Sequence, residues 1–412
     1  MRRVISQQSA WSSRPAMPHM PHMAVPTLPG VPATVAVMRR SGLRITFLTD
    51  IPTPYMLAVL ATLARRCELT AIFCSDSGTR AMGWRVPASL PFRYRIAGGF
   101  VIRRRTTDNT DIYLSPRILA AVAHSRPDVV ISGGFSAPSL YAALYCAASH
   151  AGLVIHSDGT SASEAGYGLG RMTTRRLLAR LGTAAAGNSE LACRRFVELG
   201  WPADRVFRAA HSTNVAPLHA VARTRRYRRE PGLRLLTVGR LIARKGIDRL
   251  LDAVAAARSS GAEVEVIVVG TGPHEEALCR RAADLAVPVD WRGFVDQPEL
   301  PAIYGEADAF AFPTLGDPFG IVLLEAAASG LPVVASPHAG ASWDLVEDGR
   351  TGFIVDPDDI VRCGATLARL AREPDLREAL GRNAYRATVD RTPDATASGY
   401  LDAAATVSKR CW

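Results

Sequence analysis

The chain has 412 residues, of which 48% are hydrophobic and 21% charged, with a formal net charge of +11. This balance is typical of globular proteins of two or three domains, and it excludes a chain that is disordered as a whole. The seven cysteines form no Cys-x-x-Cys pair. The lack of such pairs argues against a zinc ribbon, and the odd number of cysteines argues against a disulfide framework. Both observations indicate a reducing compartment.

The charge is divided unevenly along the chain. Residues 1–230 contain 30 arginines and 12 acidic residues, a net charge of +18, whereas residues 231–412 contain 19 basic and 26 acidic residues, a net charge of −7. A basic half predicts an anionic partner such as a membrane surface, a phosphorylated acceptor or a nucleic acid. The alternative is a codon bias toward arginine, because only Lys245 and Lys409 are lysines.

The first 42 residues are rich in Pro, Met and Ser and show little periodicity. They predict a disordered tail or an upstream start, with Met38 as the candidate true start, and they contain no apolar segment of signal-peptide length. The uncharged stretch from Val129 to Ile155 has the length of a membrane span. This stretch contains Ser132-Gly-Gly134 and Pro138, however. These residues favour a strand, a loop, a helix and a second strand in a buried layer over a membrane-spanning helix.

Strands and helices alternate from residue 43 onward. The predicted strands lie at 43–49, 68–74, 129–131 and 153–155, and the predicted helices at 55–66, 138–150 and 171–181. Such alternation predicts a mostly parallel, doubly wound α/β sheet. We assign residues 43–221 to this N-terminal domain.

The charged segment 222–232 ends in Pro-Gly and predicts an interdomain linker. The alternation then resumes, with strands at 233–238, 264–269, 287–291, 309–312, 332–335 and 351–355 and helices at 246–257, 274–285, 297–305 and 320–328. A second doubly wound domain is therefore predicted over 233–390, followed by a C-terminal helix over 391–412 that could cross back to the first domain. Ligands of such sheets bind beyond the carboxyl ends of the strands, so the interdomain cleft is the predicted active site.

Two cations follow the strand at 233–238. Arg240 and Lys245 lie in the turn before a helix, where basic side chains and a helix N-terminus together favour an anion such as a pyrophosphate. A lysine in an arginine-dominated chain indicates a place where a compact ammonium fits better than a guanidinium. The alternative is a solvated basic turn.

Two carboxylates, Asp317 and Glu325, bracket the start of a later helix. Gly320 would let a ligand approach the backbone, and the free N–H groups of the helix start would face an anion. Asp317 could accept hydrogen bonds from sugar hydroxyls and Glu325 from ribose hydroxyls. The alternative is an acidic residue that complements the helix dipole, together with a surface glutamate.

Residues 233–356 resemble the C-terminal domain of the family 4 retaining glycosyltransferases of the GT-B fold. The matching segments are 238–240 with Lys245, 269–273, 291–294, 319–326, 330–334 and 352–355. The resemblance implies two Rossmann-like domains that face each other across a cleft. It also implies metal-independent transfer of a sugar from a nucleoside diphosphate to a polysaccharide or lipid-linked acceptor, with the nucleotide sugar as co-substrate and no other cofactor.

The resemblance also implies the site residues. Arg240 and Lys245 would hold the diphosphate, and with Asp317 they form the catalytic set. Asp317 stands where the family usually has a glutamate, and its stem is one methylene shorter, which leaves the donor sugar open. The implied donor-binding residues are Gly239, the nucleobase-bordering Arg292, Gly293 and Phe294, the phosphate-facing Phe319, Gly320, Ile321 and Val322, and the ribose-binding Glu325.

The N-terminal domain resembles the family more loosely. The loop from Thr49 to Tyr55 looks like the acceptor-side loop, which gives Asp50, Pro54 and Tyr55 as acceptor-side candidates. Many members carry a histidine in the loop that corresponds to 132–138, where this chain has none. His156 and the neighbouring Asp158 are the substitute candidates. The alternative for His156 is a polar residue at a strand end.

Several other classes of protein are disfavoured. Gly270-Thr-Gly272 lacks the third glycine of a dinucleotide fingerprint, and there is no phosphate-loop motif. Asp356-Pro-Asp358 resembles a metal-binding Asp-x-Asp motif of another fold, but we interpret it as a turn and predict no metal site. No nucleic-acid-binding signature accompanies the basic residues, so no nucleic-acid partner is expected.

Two alternatives to this function stay open. A nucleotide-sugar epimerase or hydrolase would use the same fold, and a nucleotide-sugar-binding protein without catalysis would keep the same donor site.

We also predict a cytoplasmic protein attached peripherally to the inner face of the plasma membrane. The candidate basic clusters are Arg103–Arg105, Arg171–Arg180 and Arg223–Arg229.

Overall fold

The computed structural model describes residues 42–76, 89–104 and 110–408. Its strands are β1 Arg44–Thr49, β2 Glu68–Phe73, β3 Arg93–Ile96, β4 Phe100–Arg104, β5 Thr110–Leu114, β6 Val129–Gly133, β7 Gly152–Ser157, β8 Ala184–Gly187, β9 Val206–Arg208, β10 Leu233–Val238, β11 Val264–Val269, β12 Val289–Gly293, β13 Ala309–Phe312, β14 Val333–Ala335 and β15 Gly352–Ile354. Its helices are α1 Pro54–Arg66, α2 Arg117–Ser125, α3 Ala137–Ser149, α4 Ser161–Glu164, α5 Leu169–Leu181, α6 Glu190–Glu198, α7 Ala216–Thr224, α8 Ile247–Ser259, α9 Glu275–Asp284, α10 Leu300–Glu306, α11 Ile321–Ala328, α12 Gly340–Leu345, α13 Ile360–Arg372, α14 Pro374–Arg386 and α15 Pro393–Val407.

Two parallel sheets organise the described chain. The N-terminal half holds a seven-stranded sheet of order β3-β2-β1-β6-β7-β8-β9, and the C-terminal half holds a six-stranded sheet of order β12-β11-β10-β13-β14-β15. Helices cover both faces, which explains why the central strands are continuous apolar runs rather than alternating ones. The predicted α/β class with two doubly wound sheets is confirmed.

The uncharged stretch Val129–Ile155 folds as β6, α3 and β7, in agreement with its glycines and proline. Among the described residues, no helix combines the length and the hydropathy needed to cross a bilayer. The predicted tail, residues 1–42, lies outside the described residues apart from Gly42, as do Lys409 and Cys411.

The chain leaves the N-terminal half earlier than predicted. Helix α7 packs on α10 and α11, and Val215 and Leu218 are buried in the core of the C-terminal half. The predicted boundary at residue 221 therefore lies inside an element of the C-terminal half. The predicted linker is also held against the C-terminal half. The Arg225 guanidinium donates hydrogen bonds to three backbone carbonyls of this half, those of Tyr304, Ala307 and Ser329.

The last helix packs on the N-terminal half. Tyr400, Ala403 and Ala404 of α15 are fully buried in the core formed with β1, β6, β7 and α1. The hydroxyl of Thr396 donates to the carbonyl of Ala210 at 2.6 Å. The chain consequently crosses between the halves twice, once after β9 and once between α14 and α15.

Candidate functional site

The loop after β10 carries both predicted cations. It contains Gly239 and Arg240, makes a short 3-10 turn over Ala243–Lys245, and enters α8 through Gly246. Gly246 has φ +65°, and a Cβ there would collide with the carbonyl oxygen of Pro313. Glycine therefore allows this loop to lie against the loop that follows β13.

Lys245 and Asp317 meet across these two loops. The Lys245 ammonium donates to Asp317 Oδ2 at 2.7 Å, and the two side chains are only 17% and 14% exposed. The ammonium also lies 5.2 Å from the centroid of the Phe312 ring. A diphosphate that reached this position would compete with Asp317 for the same ammonium. Two of the three predicted catalytic residues are thus in direct contact.

The start of α11 provides backbone donors beside this ion pair. Gly320 is the N-cap with φ +95°, and a Cβ there would lie 2.5 Å from the Phe312 ring. The N–H groups of Ile321 and Val322 follow in the first turn, where an α-helix has no internal acceptors and its dipole is positive. Asp317 Oδ1 accepts from the Phe319 N–H at 3.3 Å, which fixes the carboxylate at this helix end.

Glu325 lies on the buried face of α11 and is not the surface residue that the alternative interpretation expected. It is 7% exposed, and the Tyr304 hydroxyl donates to its Oε2 at 3.0 Å. Burial raises the pKa of Glu325 to about 7, and hydrogen bonds from Tyr304 and Thr213 oppose that rise. Ribose binding by Glu325 stays a prediction.

We expect this raised pKa to make folding stability depend on pH. The folded protein keeps a proton on Glu325 that the unfolded chain releases, so stability should fall as the pH rises from about 4.5 to about 7. Glu325→Gln should remove this dependence. The unfolding free energy of the variant minus that of wild type should therefore increase by up to about 3 kcal/mol between pH 4.5 and pH 7.5. Urea unfolding measures the change.

Glu347→Gln is the matched control for this effect, because the Glu347 side chain is 63% exposed. It should show no comparable trend. A stability difference between Glu325→Gln and wild type that is the same at both pH values would contradict the buried, protonated state of Glu325.

The predicted nucleobase border lies at the end of β12. The Arg292 guanidinium is engaged by Asp290 and Glu306, which leaves backbone contacts as its expected contribution. Gly293 accepts from the Gly270 N–H at 2.7 Å, so the loops after β11 and β12 lie together. The Phe294 ring is 50% exposed and is available for stacking.

On the N-terminal side, His211 lies between Tyr55 at the start of α1 and Phe319 just before α11. Its ring stacks on Phe319 at a centroid distance of 4.7 Å and meets the edge of Tyr55 at 5.1 Å. Burial lowers the pKa of His211 to about 4, against an opposing effect of Asp317. No sequence motif singles out His211; its position shortly after β9, at a strand end, is the signal that points to it.

The other acceptor-side candidates lie near the carboxyl ends of β1 and β7. Asp50 and Asp158 are exposed at the ends of β1 and β7, and Pro54 begins α1. His156, in contrast, is 9% exposed and packs against Phe47 and Tyr400.

His156 lies under α15 rather than open to the cleft. The Tyr400 hydroxyl is 3.3 Å from its Nδ1, and burial lowers the pKa of His156 to about 4. This geometry favours the alternative interpretation, a polar residue at a strand end that is packed into the core.

The Asp-x-Asp segment has the geometry of a turn. The Asp358 N–H donates to Asp356 Oδ1 at 3.0 Å, and Asp358 also accepts from Arg249 at 3.2 Å. Within the described parts of the chain, no group of three or more His, Cys, Asp or Glu side chains is placed to hold a metal ion.

A half-open groove of about 460 Å³ lies between α8 and α9. Apolar side chains such as Ile247 and Leu278 line it, together with His274 and Arg280. None of the predicted site residues contributes to this groove, so it is distinct from the Lys245–Asp317 pair.

The geometry thus defines a protein of two doubly wound domains, in which Lys245, Asp317 and the start of α11 meet at the carboxyl ends of β10 and β13. Residues 224–387 match the family described as "Glycosyl transferases group 1". This part of the chain is similar to that family, in agreement with the resemblance seen in the sequence.

Curated relatives match the same region. A GDP-mannose-dependent alpha-(1-6)-phosphatidylinositol monomannoside mannosyltransferase of Mycolicibacterium smegmatis is 38% identical over 157 residues, which cover 36% of this chain and 41% of the relative. A D-inositol 3-phosphate glycosyltransferase of Salinispora arenicola is 37% identical over 194 residues, covering 44% and 43%. The chain therefore aligns with less than half the length of these relatives.

Solved structures are similar over nearly the whole chain. Anabaena Alr3699/HepE in complex with UDP has a TM-score of 0.71 at 17% identity, over 88% of this chain and 100% of that one. The lipopolysaccharide outer core galactosyltransferase WaaB has a TM-score of 0.66 at 16% identity, over 87% and 98%. These likenesses confirm the predicted GT-B fold.

Proposed function

We propose that this protein transfers a sugar from a nucleoside-diphosphate donor to a polysaccharide or lipid-linked glycan acceptor, with retention at the anomeric carbon. The observation that carries the proposal is the contact of Lys245 with Asp317 beside the N-terminus of α11. The mannosyltransferase and glycosyltransferase names of the relatives support the same class of reaction. No cofactor beyond the donor is needed.

The difficult step is departure of the nucleoside diphosphate from an oxocarbenium-like centre. Lys245, Arg240 and the first-turn N–H groups of α11 would stabilise the charge that develops on the leaving diphosphate. The bond from the anomeric carbon to the diphosphate oxygen breaks and one to the acceptor oxygen forms on the same face, while the acceptor proton passes to the diphosphate. Asp317 would hold a sugar hydroxyl during this exchange.

A thermal-shift screen of UDP-, GDP- and ADP-sugars tests the donor class, followed by assays of nucleoside-diphosphate release with and without candidate acceptors. A transferase should be stabilised by one donor and should hydrolyse it slowly without an acceptor. Rapid hydrolysis or conversion of the donor sugar would indicate the hydrolase or epimerase alternative. Donor binding without turnover under any acceptor would indicate a binding protein.

Activity is expected to survive EDTA. In this mechanism the positive charge at the diphosphate comes from Arg240, Lys245 and the helix end, and Asp356-Pro-Asp358 acts as a turn. The measurement is the rate of donor turnover before and after chelation. Loss of activity that manganese restores would assign the metal-binding role to the Asp-x-Asp segment instead.

We also propose peripheral attachment to the anionic cytoplasmic face of the membrane, through α5. Of the three basic clusters, the side chains of Arg103–Arg105 lie outside the described residues, and Arg225 is committed to the C-terminal half. Helix α5 keeps Arg175 buried against Glu164. Its outer face presents Leu169, Leu177 and Leu181, which are 87%, 45% and 43% exposed, with the exposed Arg171, Arg176 and Arg180 on the same helix.

Liposome flotation should show binding that requires anionic lipid and weakens as salt rises, since each basic residue near an anionic leaflet contributes about 1 kcal/mol. The triple variant Arg171→Gln/Arg176→Gln/Arg180→Gln should lose most of this binding. Arg280→Gln/Arg362→Gln/Arg382→Gln neutralises three exposed arginines of the C-terminal half and serves as the control. Equal recovery with neutral and anionic liposomes would refute the electrostatic attachment.

A further inference from the structure

A single buried carboxylate joins the two halves of the molecule. The Asp344 side chain, in α12 of the C-terminal half, is 0% exposed. It accepts hydrogen bonds from the Glu190 N–H at 3.0 Å, from Arg208 Nη2 at 2.9 Å and from Arg391 Nη1 at 3.2 Å. Arg391 Nη2 also donates to the Asp344 carbonyl at 3.0 Å.

These donors come from the places where the chain passes between the halves. Arg208 is the last residue of β9, directly before the first crossing, and Arg391 lies between α14 and α15, in the second crossing. Glu190 is the first residue of α6, in the N-terminal half, so Asp344 also supplies a negative charge to that helix N-terminus. One carboxylate therefore fixes both crossing segments and one helix of the opposite half.

Helix α12 is connected equally directly to the candidate site. The Gly340 N–H donates to the Asp317 carbonyl at 3.3 Å, and the Ala341 N–H donates to the Phe319 carbonyl at 2.8 Å. Asp317 also forms a parallel bridge with Ala339. The loop that holds Asp317 and the anchor at Asp344 consequently belong to one short rigid unit.

We propose that Asp344 is a positioning residue that sets the orientation of the two halves and thereby aligns the Asp317 loop with the acceptor side of the cleft. Charge-assisted hydrogen bonds to a buried carboxylate are strong and directional, and loss of the charge would leave the mostly buried Arg391 unpaired. Displacement of reacting groups by about 1 Å can reduce a rate about 100-fold. The kinetic part of this inference rests on the proposed glycosyl transfer.

Asp344→Asn tests the proposal, with Asp128→Asn as the matched control. Asp128 also accepts from a backbone N–H and from a guanidinium, both of Arg44 at 2.9 Å, and these two contacts lie within the N-terminal half. We expect Asp344→Asn to accelerate hydrogen exchange at the start of α6 and in α12 together, and to lower kcat about 10- to 100-fold while free-nucleotide affinity stays near wild type. The control should do neither.

If Asp344→Asn does not fold, Arg208→Gln releases one crossing segment only, and it should give the same exchange pattern with a smaller loss of kcat. Exchange in α6 and α12 that matches the Asp128→Asn control, or a kcat equal to that of wild type, would overturn the proposal. The exchange measurement needs no substrate. It therefore still decides the role of Asp344 in joining the halves if the proposed transfer itself fails.

Discussion

Replacing Lys245 by alanine is expected to lower turnover about 30- to 1,000-fold and to weaken binding of the nucleoside diphosphate. The lost ammonium would otherwise stabilise the charge on the leaving group, an effect of about 2–4 kcal/mol for one such donor. Steady-state kinetics and nucleotide titration of the purified variant measure the two effects.

Arg281→Ala is the control for Lys245→Ala, because it removes a cation whose ion pair with Asp252 joins α8 and α9 on the outside of the same half. Lys245→Ala also leaves Asp317 without its partner, so the melting temperatures of both variants are measured alongside the rates. Unchanged turnover in a folded Lys245→Ala variant would refute the assignment of the diphosphate to this loop.

The two carboxylates near α11 should separate the sugar step from nucleotide binding. Asp317→Ala is expected to lower the rate of sugar transfer with little change in free-nucleotide affinity, because the carboxylate would contact the donor sugar. Glu325→Ala is expected to raise the donor KM and to weaken free-nucleotide binding, because its predicted contact is to ribose. Titration of both variants with the nucleoside diphosphate measures the difference.

Glu325→Gln accompanies this pair because it keeps the buried volume and the hydrogen bond from Tyr304. If Glu325→Ala loses nucleotide affinity but Glu325→Gln stays close to wild type, the loss is caused by altered packing rather than by the missing charge. A larger loss of nucleotide affinity for Asp317→Ala than for Glu325→Ala would reverse the two roles.

The contact of Lys245 with Asp317 could be anticipated from the sequence, although 72 residues separate them. Each follows a predicted strand, and the carboxyl ends of parallel strands share one edge of a sheet. Strands β10 and β13 are indeed neighbours, which brings the two loops together. Local strand patterns together with a general rule of α/β sheets were sufficient here.

The features that depend on contacts between distant elements could not be obtained in this way. The periodicity of α7 shows that one face is apolar but not which sheet covers it, so the sequence alone places Leu218 in the wrong half. His156 lies at a strand end as expected, yet the face it occupies is covered by α15, which follows much later in the chain. His211 and Asp344 acquire their contacts only from the arrangement of the two halves.

A structure of the complex with the preferred nucleoside diphosphate decides where the diphosphate binds. We predict that the diphosphate oxygens accept hydrogen bonds from Lys245 Nζ and from the N–H groups of Ile321 and Val322, and that Lys245 turns from Asp317 toward the phosphate. A diphosphate bound in the groove between α8 and α9, with the Lys245–Asp317 contact of 2.7 Å unchanged, would contradict it.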